Sequence, residues 1–151
     1  MRKIMYALVL LACATPLLAS DPFTGTWKLN SEKTKYTTGA PPKELTAVIE
    51  EQGANLQVTA TGTYDDGSPL SVKYMVPASG GAGTVQEGDF DGISAKSVSD
   101  HIREMHYLKD GKELRVRRMV LSKDGKTMQT TVKGINPKGK QVSGVDYFDK
   151  Q

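Results

Sequence analysis

The chain has 151 residues, of which 38% are hydrophobic, 7% aromatic and 25% charged, with one cysteine and a formal net charge of +3. This length suits a single domain with a real hydrophobic core. The small net charge comes from interspersed acids and bases, which excludes the basic footprint of a nucleic-acid-binding protein. The lone cysteine excludes an intramolecular disulfide.

The first twenty residues are typical of a secretory signal peptide. They contain the basic residues Arg2 and Lys3, an apolar segment over 4–14 and a small-residue exit at Ala19 and Ser20. The apolar segment is far shorter than the roughly 20 residues of a membrane-spanning helix, and no other stretch comes closer. We therefore predict a signal peptide over 1–20, a mature domain over 21–151, export to the periplasm or the medium, and no transmembrane helix.

The only cysteine, Cys13, lies inside this leader. It follows Leu10, Leu11 and Ala12, a sequence that resembles the lipoprotein box in which a bacterial cysteine is acylated and becomes the first mature residue. Two lipid chains would then anchor the protein stably, as an outer-membrane lipoprotein. The alternative is that Cys13 is a small apolar filler that is discarded with the signal peptide.

Hairpin signals recur along the rest of the chain at steps of fourteen residues. The turn glycines are Gly53, Gly67 and Gly81, followed after a change of phase by Gly111, Gly125 and Gly139. The segments between them alternate apolar and polar residues, as half-buried strands do. We predict ten strands, over residues 26–29, 44–51, 55–64, 70–76, 84–87, 93–97, 101–108, 113–121, 127–134 and 141–149.

A meander of this many long strands leaves two exposed edges unless it closes on itself, and closure removes the aggregation hazard of those edges. We therefore predict an all-β fold, a single antiparallel up-and-down β-barrel of 8–10 strands. The glycine-rich segment 78–83 is predicted to be the most flexible loop and to mark the middle of the sheet.

The segment 23–29, with the sequence Phe-Thr-Gly-Thr-Trp-Lys-Leu, resembles the G-x-W first strand of the calycins, which include lipocalins and fatty-acid-binding proteins. This resemblance implies a barrel whose floor is closed by Gly25 and Trp27, often against an arginine from a late strand. Residues 145–150 resemble the last strand of the fatty-acid-binding branch. Two departures stand out: only 30–42 replaces that branch's two-helix lid, and Val145 stands two positions before Tyr147 where the branch has its ligand-reading arginine.

The candidate ligand-binding residues follow from strand alternation. It places Leu114, Val116, Arg118 and Val120 on one face, so Arg118 is predicted to point inward unless a bulge intervenes. A buried guanidinium needs a partner, which would be an anionic ligand head group or the floor around Trp27. Four further side chains are candidates for lining a pocket, with plain core packing as the alternative: Tyr64, Tyr74, Tyr107 and Met105.

The sequence offers no catalytic or metal-binding motif. His101 and His106 lie at odd separation on one strand and face opposite sides, so they do not form a metal-ligand pair. There is no G-x-S-x-G elbow and no cysteine nucleophile in the mature domain. We predict no catalytic residue, no metal and no cofactor; an enzyme would need Arg118, Tyr107 and His101 to converge.

The leading hypothesis is an exported, monomeric β-barrel that binds a small apolar or amphipathic molecule in its interior, since barrels of about eight strands can hold one ligand. One alternative is a ligand-free structural or protein-interaction barrel of the cell envelope, and another is an uncharacterised barrel enzyme. An outer-membrane barrel is disfavoured because the outward positions are Lys, Gln, Thr and Glu and the chain has no aromatic girdles.

Overall fold

The computed structural model describes residues 19–151, and all their regular secondary structure is β. Residues 1–18 of the predicted signal peptide, with Cys13, lie outside the described residues. The strands are β1 (Gly25–Leu29), β2 (Lys35–Thr38), β3 (Glu44–Gln52), β4 (Asn55–Thr63), β5 (Pro69–Pro77), β6 (Gly81–Ala82), β7 (Thr84–Glu87), β8 (Gly92–Ser99), β9 (Ile102–Lys109), β10 (Lys112–Leu121), β11 (Thr127–Ile135) and β12 (Gln141–Lys150).

These strands form one antiparallel, nearly closed barrel, as predicted. The order is β6-β8-β9-β10-β11-β12-β1-β3-β4-β5-β7, so the first strand lies between the last strand and β3. Trp27 on β1 is the register partner of Lys150 on β12 and of Ala47 on β3. All ten predicted strands are present, with bounds that differ by at most two residues.

The barrel closes through the segment 81–87, which lies across the seam between β5 and β8. Its first part, β6, pairs with β8, and its second part, β7, pairs with β5. Gly83 separates the two parts and donates its N–H to the carbonyl of Ile93. A Cβ at Gly83 would collide with the carbonyl oxygen of Met75, so only glycine fits. The prediction that 78–83 marks the middle of the sheet is therefore wrong, because this segment lies where the two ends of the strand order meet.

The short strand β2 lies in the segment 30–42, where no helix pair was expected and none is found. It pairs with β12 beyond the end of β1, with Tyr36 opposite Gly144. The Tyr36 ring lies directly against Gly144, and a Cβ at that glycine would collide with the ring. Tyr36 therefore leans over the inner face of β12 at one end of the barrel.

The opposite end of the barrel is filled by large apolar side chains. Phe23, Trp27 and Met105 are each at most 1% exposed. The Trp27 indole Nε1 donates to the carbonyl oxygen of Phe23 at 2.9 Å, and the Arg103 guanidinium lies 4.6 Å from the centre of the Phe23 ring. Burying each such side chain contributes roughly 1.5–3 kcal/mol. This packing closes one end of the barrel and stabilises it.

Candidate functional site

The barrel encloses a cavity of about 120 Å³, which Trp27 itself does not line. Small residues leave this space: Ala47 on β3 and Ala60 on β4 are register partners and both face the cavity. The wall is otherwise mainly apolar, formed by Leu45, Ile49, Val58, Leu70, Val72, Met119, Met128, Val132, Val142 and Phe148. The inward-facing positions therefore carry bulky side chains at the closed end and smaller side chains where the cavity lies.

A β-bulge decides which side of β10 faces this hollow. The pairing with β9 shifts between Glu113 and Arg115, and Leu114 packs against the core. The bulge reverses the alternation, so Arg115 and Arg117 face the cavity. The inward orientation predicted for Arg118 is therefore wrong: its side chain is 43% exposed and is paired with Glu104 on the outer face.

Arg117 forms an ion pair inside the barrel with Asp146 of β12. Its Nη2 donates to Oδ2 of Asp146 at 2.7 Å, and the Asp146 side chain is fully buried. Asp146 lies directly opposite Thr130 of β11. Within residues 19–151, Oδ1 of Asp146 and Oγ1 of Thr130 have no hydrogen-bond partner. Buried polar groups are rarely left unpaired, so this cluster differs from an ordinary apolar core and is the candidate site.

Tyrosines surround the ion pair. The hydroxyl oxygens of Tyr74 and Tyr107 lie 3.1 Å apart, and the two rings pack edge to face. Burial, and next the neighbouring Tyr107, raises the pKa of Tyr74 well above its usual value. Burial, and next the negative charge of Asp146, raises the pKa of Tyr36. Tyr36 and Tyr74 therefore stay protonated and act as neutral hydrogen-bonding groups.

A second cation, Arg115, is neutralised in the same region. Its guanidinium donates to both carboxylate oxygens of Asp89, at 2.9 and 3.2 Å, and lies 4.9 Å from the centre of the Tyr107 ring. Bidentate pairs of this kind hold the arginine in one orientation. Each of the two arginines that line the cavity is therefore paired with one carboxylate, and their charges balance.

The cavity opens between three loops, which follow β2, β4 and β11. Asp65, Asn136 and Pro137 from two of these loops line it. Lys138 crosses from the β11–β12 loop to the β4–β5 loop, where it pairs with Asp66 and lies 5.4 Å from the centre of the Tyr64 ring. The mouth is thus bridged by one lysine between two turns.

Of the predicted pocket residues, Tyr64, Tyr74 and Tyr107 line the cavity. Met105 is 1% exposed but belongs to the closed end and does not line the cavity. His101 is exposed in the turn between β8 and β9, not on a strand as predicted. The set that an enzyme would have needed is therefore not assembled, because His101 and Arg118 both lie outside the barrel.

The predicted floor residues lie together at the closed end. Trp27 is 0% exposed, and the Lys150 ammonium lies 5.3 Å from the centre of its ring, where the family resemblance implied a late arginine. Gly25 has a φ of 132°, and a Cβ there would collide with the Lys150 side chain. Gly25 therefore gives Lys150 room to cross over the indole.

Sequence reasoning missed four polar residues that line the cavity, Tyr36, Arg115, Arg117 and Thr130, and also Asp146, which pairs with Arg117. Among residues 19–151, no group of three or more His, Cys, Asp or Glu side chains is arranged to hold a metal ion. In the same range, no helix has the length and apolar character needed to cross a bilayer.

Comparison with known proteins adds no family assignment. No protein-family model matches the sequence, and no curated protein matches it significantly.

Proposed function

We propose that this protein is an exported, calycin-like barrel that binds a small apolar or amphipathic molecule in its interior. The observation that carries the proposal is the cavity of about 120 Å³, with its apolar wall and its polar cluster around Arg117. Binding sites for small molecules combine these two elements, an apolar wall for affinity and a few polar groups for orientation.

The volume indicates the size of the bound part. A cavity of roughly 150 Å³ is known to bind benzene, whereas drug-sized ligands occupy roughly 300–1,000 Å³. The hollow of about 120 Å³ therefore suits one ring or a short branched chain. A longer molecule would extend through the mouth beneath the Lys138 bridge.

A purely structural barrel would gain from filling this hollow. At roughly 24 cal/mol per Å³, a void of this volume costs about 3 kcal/mol of stability. The chain nevertheless keeps Ala47 and Ala60 opposite each other and places unpaired polar atoms of Thr130 and Asp146 beside the hollow. Both features favour a bound molecule over a ligand-free barrel.

The position of Asp21 supports export with cleavage after Ser20. The Asp21 carboxylate pairs with the buried Arg103 at 2.8 Å, and its backbone nitrogen bonds the Glu51 carboxylate. Cleavage would leave a charged amino group at this carboxylate, which favours Asp21 as the first residue. Acylation at Cys13 would instead join the barrel to a lipid through residues 14–20. The mass of the mature chain distinguishes the two.

Native mass spectrometry and calorimetry of the exported protein test the proposal. We expect a co-purifying small molecule, and saturable binding of isopropylbenzene at one site per chain. Ala60→Leu fills the hollow and should abolish both, whereas Thr61→Leu, on the exposed face of the same strand, should leave them unchanged. No bound mass and no binding of isopropylbenzene or of a polar analogue of the same size to the wild-type protein would refute the carrier function.

A further inference from the structure

The polar cluster around Arg117 contains hydrogen-bond donors that are not used within the described part of the chain. An arginine side chain carries five N–H donors. Within residues 19–151, the Arg117 side chain makes one hydrogen bond, to Asp146. Arg117 lines the cavity, and its side chain is 20% exposed. The remaining N–H groups of Arg117 are therefore available to a molecule in the hollow.

Neighbouring strands supply two more donors. Thr130 is 1% exposed, lines the cavity, and its hydroxyl has no partner in the described part of the chain. In the Tyr74–Tyr107 pair, one hydroxyl donates to the other, which leaves the second O–H free to donate. The carboxylate of Asp146 does not line the cavity. Apart from Asp65 and Asn136 at its mouth, the polar groups that line the cavity are thus mainly donors, which favours a ligand that carries an acceptor.

Charge balance decides which acceptor fits. The charge of Arg117 is cancelled by Asp146 at 2.7 Å, and that of Arg115 by Asp89 at 2.9 Å. A carboxylate entering this low-dielectric space would lose its hydration and compete with Asp146 for the same guanidinium. A neutral carbonyl oxygen accepts the same hydrogen bonds without bringing a charge that lacks a counter-ion.

We infer that the cluster of Arg117, Thr130 and the tyrosine pair recognises the carbonyl oxygen of an uncharged, ring-sized molecule, in preference to a carboxylate. The inference rests on the proposed function, because it names the ligand class of the same cavity. It gives the unpaired Thr130 hydroxyl a partner and leaves the Arg117–Asp146 pair intact.

Three probes of equal size and different polarity test this on the wild-type protein. Acetophenone carries a neutral carbonyl, benzoate a carboxylate, and isopropylbenzene no polar group. Hydrogen bonds to a charged donor are among the stronger ones, so acetophenone should bind about tenfold or more tighter than both others by calorimetric titration at neutral pH. Benzoate binding as tightly as acetophenone would overturn the inference, and so would equal binding of isopropylbenzene and acetophenone.

Two near-isosteric variants test the reasoning group by group. Asp146→Asn leaves the charge of Arg117 unopposed, so benzoate should gain about tenfold or more relative to acetophenone. Thr130→Val removes one donor and should weaken acetophenone several-fold without weakening isopropylbenzene. Thr131→Val, on the exposed face of the same strand, is the matched control for Thr130→Val. An unchanged probe preference in Asp146→Asn, with its circular dichroism intact, would overturn the charge-balance argument.

The pattern of results separates this inference from the proposed function. If isopropylbenzene binds and acetophenone binds no better, the barrel is a carrier and the carbonyl preference is wrong. If none of the three probes binds the wild-type protein, the carrier function fails and the carbonyl preference fails with it. The three probes are compared on the wild-type protein, so the carrier function and the carbonyl preference can be judged even if a variant fails to fold.

Discussion

Filling the hollow with Ala60→Leu should stabilise the protein while abolishing binding. Ala60 faces a cavity of about 120 Å³, so a leucine side chain at this position would extend into space that no side chain fills. The three added carbon atoms contribute about 2.4 kcal/mol by burial, at roughly 0.8 kcal/mol each. Imperfect fit opposes this gain by about 1 kcal/mol or more. We expect a net increase of about 1–2 kcal/mol in the free energy of unfolding.

Urea unfolding followed by tryptophan fluorescence measures this change. Trp27 is the only tryptophan, is fully buried and does not line the cavity, so its signal reports on global unfolding. Thr61→Leu adds a similar side chain outside the barrel and should change stability by less than about 0.5 kcal/mol. A loss of more than about 1 kcal/mol in Ala60→Leu alone would show that the space at Ala60 is not hollow and would refute the reasoning.

Three further substitutions probe charged groups elsewhere. Asp21→Ala leaves the buried Arg103 without its carboxylate and should cost about 3 kcal/mol in urea unfolding; unchanged stability would show that Asp21 does not neutralise it. Arg118→Ala removes an exposed pair and should cost less than about 0.5 kcal/mol, so a larger loss would contradict its outward orientation. Lys138→Ala opens the bridge to Asp66 and should raise the association and dissociation rates of acetophenone together in stopped-flow measurements, with little change in affinity; unchanged rates would mean that the bridge does not gate the mouth.

The strands were predictable because two local signals coincide. Turn glycines such as Gly67 and Gly125 adopt positive φ in the structure, and most segments between turns alternate apolar and polar residues. The two strands that were missed, β2 and β6, have four and two residues. Segments this short have no periodicity to detect, and their strand character comes from the neighbours that they pair with. For the same reason the role of 78–83 in closing the barrel could not be inferred locally.

The site was only half predictable. Three of the four cavity-lining tyrosines, Tyr64, Tyr74 and Tyr107, lie at inward positions that alternation identified. The choice between Arg118 and Arg117 depends on the bulge at Leu114, and both faces of β10 contain apolar residues, so the sequence does not reveal the reversal. Asp146 was within reach: Val142 and Phe148 on the same predicted strand share its face, and a carboxylate between them indicates a buried charge.

The most direct test of a hollow, donor-lined barrel is an NMR titration of the ¹⁵N-labelled wild-type protein with acetophenone. We expect saturable shifts at the backbone amides of Ala60, Arg117 and Thr130, and none at Phe23 at the closed end. Shifts confined to the outer surface, or no shifts at millimolar probe, would contradict the claim that the interior is a binding site.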